Sequence, residues 1–316
     1  MKYLFFDIEC SNCFNGVAKM CEFGYVITDE NFKIISAYDI PMSPGRGKEC
    51  IFSLRDRMND EGVELAYDES YYFDQPELPH FYEQIKRLME DKDTICFAFS
   101  MQNDIRYLYQ SLHRYHLPEI HYICYDVQLL AAHFLEIKGQ PGLKKCVEQI
   151  VGPHATRDLV EHLSRDDAKM EMMVMEAICV LNQIDSKTLL EQSDFAKTDS
   201  IEFIKKYKES KKAKQEKNNI KQYIASIDKK SEELVLLEEY KGKRYGISVK
   251  ARETLEHTKK IVMAINNAGG IFTNRYEYTD YMIVKDEDNM NVIKDKCSNF
   301  HGDFIFVDEF LNTYLK

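Results

Sequence analysis

The chain has 316 residues, of which 44% are hydrophobic and 30% are charged. That length and composition are sufficient for one large core or two domains, and they exclude an intrinsically disordered chain. The formal net charge of -11 excludes a protein that coats nucleic acid through its overall charge, although a local basic patch or bound metals could still hold a phosphate backbone.

The nine cysteines show no repeated pairing pattern, and no apolar signal segment precedes the first predicted strand. No segment approaches the roughly 20 apolar residues that cross a bilayer. We therefore expect reduced thiols and a cytoplasmic location. The Cys10-x-x-Cys13 pair has a redox or zinc spacing, but no second pair follows at a useful distance, so we expect thiols in a loop.

The first predicted strand opens with four large apolar residues at 3–6 and ends in Asp7 and Glu9. Such a run is typical of a strand buried on both faces of an α/β sheet. Residues two apart share one face of a strand, so the two carboxylates repel each other unless a cation binds them. Oxygen-rich sites of this kind select Mg²⁺ or Mn²⁺. Taken alone, the triplet also fits a chance arrangement in an acidic chain.

Two further predicted strands, 20–28 and 32–38, are joined by short turns and indicate an antiparallel meander. Residues 42–76 then lack periodicity and combine basic with aromatic side chains. This segment either grips single-stranded nucleic acid by charge and stacking or packs onto the core. Its basic and aromatic residues are Arg46, Lys48, Arg55, Arg57, Tyr67, Tyr71, Tyr72 and Phe73.

Asp104 follows a predicted buried strand at 94–99 and comes just before an amphipathic helix that starts near Ile105. This junction is the carboxyl-end edge at which α/β sheets bind ligands. The alternative is a carboxylate that the helix dipole favours near an N-terminus.

His162 and Asp167 lie before and inside a later predicted helix, whose buried side carries Ala168, Met172 and Met175. The methionines are interpreted as core. A histidine at such a position is usually structural, but beside these carboxylates it is a candidate general base. A looser set, His113, His116, His121 and Cys124, would have to span a helix end, a turn and a strand, so we do not predict a zinc site there.

The three ordered motifs, Asp7-Ile8-Glu9, Asp104 within 100–108, and His162-x4-Asp167, resemble those of the DEDDh 3′-to-5′ exonucleases. That group includes the epsilon proofreading subunit of bacterial DNA polymerase III and ribonuclease T. The resemblance covers about residues 1–185 and implies a ribonuclease H-like, mixed-sheet α/β domain. Ser100 and Cys10-Ser11 depart from the family's usual residues, but neither position is a metal ligand in the family.

Carried over residue by residue, the resemblance implies that Asp7, Glu9, Asp104 and Asp167 hold two divalent metals, Mg²⁺ or Mn²⁺. It also implies that His162 is the general base that activates water. Two metals about 4 Å apart neutralise the entering and leaving oxygens of a phosphodiester, and imidazole titrates near neutral pH. The expected reaction releases nucleoside monophosphates from the 3′ end of single-stranded or other 3′-ended nucleic acid, and the motifs do not separate DNA from RNA.

Residues 186–240 are charged and predicted to be a mostly helical linker. Residues 205–221 include eight lysines but only two glutamates. Such a run is typical of a solvated helix face. It is also the chain's best candidate for a phosphate-contacting patch.

From residue 241 the composition is again globular, and a βαββ(α)βα order predicts a small parallel sheet. The Gly269-Gly270 pair after the first helix and Phe310 in the last one resemble features of a BRCT domain, which binds proteins, phosphopeptides or DNA ends. Ser248 and Lys294 are nearest to a phosphate-binding pair, but Val249 stands where glycine is usual, so phosphopeptide binding is not predicted.

The leading hypothesis is therefore a metal-dependent 3′-to-5′ exonuclease with a C-terminal recruitment domain at 241–316. The alternative is a catalytically silent exonuclease-fold protein that binds a partner through that domain. The filled motif positions favour the enzyme. Proofreading, repair and RNA maturation are not distinguished.

Overall fold

A computed structural model describes residues 1–11, 17–45, 54–55, 62–63, 65–137, 142–236 and 242–315, with backbone alone for 54–55, 62–63 and 232–236. Its described residues form two compact units, Met1–Tyr207 and Lys208–Lys316. Cys13, Arg46, Lys48 and Arg57 lie outside the described residues.

The first unit is a mixed α/β structure. Its strands are β1 (Lys2–Ser11), β2 (Lys19–Thr28), β3 (Ile34–Pro41), β4 (Leu54–Arg55), β5 (Gly62–Val63), β6 (Thr94–Ala98), β7 (Ile123–Asp126) and β8 (Lys197–Asp199). Its helices are α1 (Glu69–Phe73), α2 (Leu78–Met89), α3 (Gln102–Arg114), α4 (Val127–Phe134), α5 (Leu143–Ile150), α6 (Ser164–Asn182), α7 (Ser186–Glu191) and the start of α8 (Ser200–Leu236).

Six of these strands form one mixed sheet in the order β3-β2-β1-β6-β7-β8. The β1, β2 and β3 strands pair antiparallel, as the predicted meander requires. The β6 strand pairs parallel with both β1 and β7, whereas β8 closes the other edge antiparallel to β7. The mixed-sheet fold class predicted for this part of the chain is confirmed.

The β1 strand separates two cores because its side chains alternate between the faces of the sheet. Leu4, Phe6 and Ile8 pack under α2 and α3. Tyr3 and Phe5 pack under α4, α5 and α6. The odd-numbered carboxylates Asp7 and Glu9 therefore lie on the α6 side.

Helix α6 approaches the sheet closely at Gly24 of β2, the residue paired with Asp7. A Cβ atom built on Gly24 would lie 2.0 Å from the backbone N of Arg165 and 2.0 Å from the carbonyl carbon of Ser164. The first turn of α6 thus occupies the space that a side chain at position 24 would fill, which brings Asp167 over the end of β1.

The second unit holds a four-stranded parallel sheet in the order β10-β9-β11-β12, as the predicted small parallel sheet requires. Its remaining elements are β9 (Arg244–Ile247), α9 (Leu255–Asn267), β10 (Ile271–Phe272), β11 (Tyr281–Val284), α10 (Glu287–Lys296), β12 (Asp303–Phe306) and α11 (Val307–Tyr314). One core contains Ile261 of α9 and Phe310 of α11. A second core lies around Ile293 of α10.

Residues 186–240, predicted as a linker, contribute to both units. Leu189 and Ile204 are buried in the first unit, and Ile220 and Ile224 are buried in the second. The eight lysines between 205 and 221 are exposed. At 3.6 residues per turn they point to all sides of α8, so they do not form one basic face.

Within the described residues, no helix combines the length and the apolar character that crossing a membrane requires.

Candidate active site

The end of β1 places Asp7 and Glu9 between α6 and the start of α3. The Asp7 Oδ2 atom is buried and, among the described residues, has no hydrogen-bond partner. The Ser164 hydroxyl lies close enough to favour the charged form of Asp7 without a hydrogen bond of normal geometry to it. A buried carboxylate oxygen without a donor is costly unless a cation or water satisfies it.

Asp104 reaches the same point from the opposite face of the sheet. It lies in the first turn of α3 and is 3% exposed. The backbone N–H of Ile8, the residue between the two β1 carboxylates, lies close enough to the carboxylate of Asp104 to favour its charged form. The β1–β6 pairing ends at Phe5, so this N–H lies beyond the parallel ladder and is available to the side chain.

His162 and Asp167 come from the loop before α6 and from the helix itself. The backbone N–H of His162 donates to Asp167 Oδ2 at 3.1 Å. The imidazole Nδ1 lies 3.0 Å from Glu9 Oε1, and the ring is 34% exposed. His162 has a φ of 63°, and its carbonyl accepts a hydrogen bond from the N–H of Ala66. These backbone contacts hold the ring beside Glu9, at a position that solvent can reach.

The carboxylates influence one another strongly. Burial, together with the charge of Glu9, raises the pKa of Asp7 well above its usual range. Burial and the charge of Asp7 raise the pKa of Asp104 in the same direction. Burial and Asp7 raise the pKa of Asp167 to about 8, and the nearby His162 opposes that rise. Without a cation, the site therefore favours bound protons.

The structure thus brings all five predicted site residues to the tip of β1. Ligand atoms of Glu9, His162 and Asp167 lie within 4.8 Å of one another, close enough to hold a metal ion. Asp7 and Asp104 lie close enough to this group for the charge of Glu9 to raise the pKa of both. A set of carboxylates with one orphaned oxygen matches the donor chemistry of a hard divalent cation.

Sequence reasoning missed two buried carboxylates near this site. Glu171 follows Asp167 by one turn of α6 and is fully buried. Asp126 ends β7 and caps α4 by accepting from the backbone N–H groups of Gln128 and Leu129. Neither belongs to a recognised motif. An acidic residue inside the methionine-rich stretch of α6 was the signal that could have revealed Glu171.

The other residue missed was Gly24. A glycine within an apolar strand marks a close approach of another backbone, and here that backbone is the first turn of α6.

Comparison with protein-family models gives no match to this sequence. Comparison with curated proteins gives no match either.

Solved structures similar to this chain include three exonuclease structures. One shows 3′-end-specific recognition of a histone mRNA stem-loop by a 3′-exonuclease, with 13% identity and a TM-score of 0.43 over 58% of this chain and 82% of that one. Another is the nuclease domain of 3′hExo, described as a DEDDh family member bound to rAMP, with 14% identity and a TM-score of 0.42 over 58% of this chain and 92% of that one. E. coli Exonuclease I with a dA16 oligonucleotide has 11% identity and a TM-score of 0.43 over 60% of this chain and 42% of that one. At these identities and TM-scores we base no assignment on the likeness.

Proposed function

We propose that the first unit is a metal-dependent 3′-to-5′ exonuclease that releases nucleoside monophosphates from nucleic acid. The observation that carries the proposal is the convergence of Asp7, Glu9, Asp104, His162 and Asp167 at one point, although they span 160 positions of the sequence. The orphaned oxygen of Asp7 supports a cation there.

In this proposal Asp7, Glu9, Asp104 and Asp167 hold Mg²⁺ or Mn²⁺, and two such ions are expected. When bound, the cations neutralise charge on the phosphate and lower the pKa of water. Asp167 accepts a hydrogen bond from the backbone N–H of His162, so its carboxylate needs little reorganisation on binding.

His162 has the role of general base. Its imidazole is partly exposed, and Nδ1 contacts Glu9, so the ring's orientation is set before a substrate binds. The ring accepts a proton from the water that attacks the terminal phosphodiester, and the proton is afterwards returned to solvent. The His162 side chain is 34% exposed, so solvent and a 3′ end can approach it.

The proposal is tested with a 5′-labelled single strand, as DNA and as RNA in parallel. We expect stepwise shortening with Mg²⁺ or Mn²⁺, no shortening with excess chelator, and loss of at least about a hundredfold in rate for Asp104→Ala. Wild-type rates for Asp104→Ala would contradict the assignment. Comparison of the two strands decides between a deoxyribonuclease and a ribonuclease.

We further propose that the second unit is a BRCT-like recruitment domain. Its parallel sheet, with α9 and α11 contacting one core and α10 another, supports this. Ser248 is 1% exposed and its hydroxyl donates to Asn289 at 2.6 Å, and phosphopeptide binding is not part of this proposal. Pull-down with the full chain and with a chain lacking 241–316 tests recruitment.

A further inference from the structure

Glu171 is a fully buried carboxylate that none of the predicted roles uses. It lies four residues after Asp167 on α6. Residues with this spacing occupy the same side of a helix, so Glu171 lies on the side of α6 that carries Asp167 to the site.

One oxygen of Glu171 fixes the turn that leads to Asp104. Its Oε1 accepts a hydrogen bond from the backbone N–H of Phe99 at 2.7 Å. Phe99 follows β6, and the next residue, Ser100, has a φ of 60°. The backbone N–H groups of the two residues that follow Phe99 lie close enough to the carboxylate of Asp126 to favour its charged form. Glu171 and Asp126 thus both lie beside this turn.

The other oxygen of Glu171 has no such partner. Its Oε2 is buried and makes no hydrogen bond within the described residues. The charge of Glu171 interacts most strongly with those of Asp7 and Asp104. A glutamine would bind the Phe99 N–H equally well, so binding this turn does not by itself account for a carboxylate. A cation held by Asp7 and Asp104 would account for it.

We propose that Glu171 is a fifth carboxylate of the divalent-cation site, with Oε1 on the Phe99 N–H and Oε2 contributing negative charge to the bound cation. This inference rests on the proposed function, because it needs a cation at Asp7 and Asp104. It assigns to Glu171 a positioning role for the turn and an electrostatic role for the metal.

The test is Mn²⁺ binding to the full chain, measured by calorimetry and by electron paramagnetic resonance of free Mn²⁺. In Glu171→Gln the acceptor for Phe99 remains and the charge is lost. We expect Mn²⁺ affinity to fall about 10–100-fold, the usual effect of altering groups that surround metal ligands. The melting temperature in chelator should equal that of the wild type, because burial and the charge of Asp7 raise the pKa of Glu171 and so favour its uncharged form in the metal-free chain.

The matched control is Glu22→Gln. Glu22 is also a fully buried glutamate that accepts a backbone N–H, from Ser164 at 2.6 Å, but the charge that raises its pKa most is that of Asp39. Its glutamine variant should bind Mn²⁺ as the wild type does.

The outcomes separate this inference from the proposed function. Wild-type Mn²⁺ affinity in Glu171→Gln overturns the role of Glu171 and leaves the nuclease proposal in place. A Glu171→Gln chain that unfolds in chelator also overturns it, because the glutamine should satisfy Phe99. Absence of Mn²⁺ binding in the wild-type chain overturns the metal-dependent function itself.

Discussion

His162 adopts a backbone conformation that few residues other than glycine occupy, with a φ of 63°. Such a conformation costs roughly 1–2 kcal/mol. The hydrogen bonds of its N–H to Asp167 and of its carbonyl to Ala66 offset this cost. The same backbone conformation that costs this energy places the imidazole beside Glu9.

We predict that His162→Asn lowers kcat about 10²–10⁴-fold, the usual contribution of a general base. Asparagine tolerates positive φ, so the melting temperature should change little and the loss should not reflect misfolding. The measurement is single-turnover cleavage of a labelled strand. His121→Asn is the control, because His121 contacts Asp199 at the far edge of the sheet, and it should cleave normally. Full activity of His162→Asn would exclude the imidazole as the base.

Glu22 provides a prediction about pH. Burial and the charge of Asp39 raise the pKa of Glu22 from the usual 4.5 to about 9. The folded state then holds a proton that the unfolded state releases between those values, so this group's stabilisation is complete below pH 4.5 and is lost as pH rises toward 9. The free energy of unfolding changes through this group by at most about 1.4 kcal/mol per pH unit.

Glu22→Gln removes this proton uptake while it keeps an acceptor for the N–H of Ser164. We expect the free energy of unfolding, measured in urea, to fall less between pH 5 and pH 9 in the variant than in the wild type. Parallel stability curves for the two proteins would show that Glu22 does not titrate in that range.

The sequence predicted the site residues of the three ordered motifs, because the spacing of those residues and the strands and helices around them can be recognised locally. The sequence shows that Glu171 is an acidic residue inside an apolar stretch, but it does not show its partner. Glu171 accepts from the backbone N–H of Phe99, which lies 72 positions earlier in the chain. Only the folded geometry reveals such partners.

Among the elements, α6 and β2 set the position of the site through Gly24. A side chain on Gly24 would overlap the backbone of Ser164 and Arg165, so the first turn of α6 would have to move away from Asp7. Overpacking of this kind costs about 1–3 kcal/mol or more. Because Asp167 lies in that turn, the substitution should displace a residue of the candidate active site as well as lower the free energy of unfolding.

We therefore predict that Gly24→Ala lowers stability by at least about 1–3 kcal/mol and reduces cleavage and Mn²⁺ affinity together. Urea unfolding and calorimetry measure these effects. Gly142→Ala is the control, because a Cβ at Gly142 meets no atom of the described residues within 4 Å. Equal free energies of unfolding and equal Mn²⁺ affinities for the two variants would contradict the packing argument.

Most elements of the first unit could be predicted because their apolar periodicity is strong, and β1, α3 and α6 are examples. The β8 strand could not. It has three residues, Lys197–Asp199, without an apolar pattern, and it becomes a strand because the edge of β7 supplies its hydrogen bonds. The sequence likewise gave no sign of α1 within the aromatic segment before α2.

For the whole molecule, the compact units divide inside α8, whereas composition predicted boundaries at 185 and 240. The predicted boundaries were based on the high charge of residues 186–240, whereas burial in the two units depends on a few apolar residues spaced along this charged segment. Leu189 and Ile204 lie in the cores of the first unit, and the hydroxyl of Tyr3 donates to that of Ser186 at 2.8 Å.

We predict that a fragment of residues 1–207 unfolds cooperatively, whereas a fragment of residues 1–185 melts at a clearly lower temperature or aggregates. Each buried leucine or isoleucine that is lost removes about 1.5–3 kcal/mol from a total stability of about 5–15 kcal/mol. Calorimetry and size-exclusion chromatography of the two fragments provide the test. Equal melting temperatures would place the end of the first unit at residue 185.

The order of the site residues along the chain also bears on when the protein becomes active. Asp7, Glu9 and Asp104 leave the ribosome first, and Asp167 follows much later on α6, whose docking completes the centre. A nascent polypeptide therefore carries an incomplete set of ligands during most of its synthesis. In the proposed function, cleavage therefore begins only after translation has passed α6.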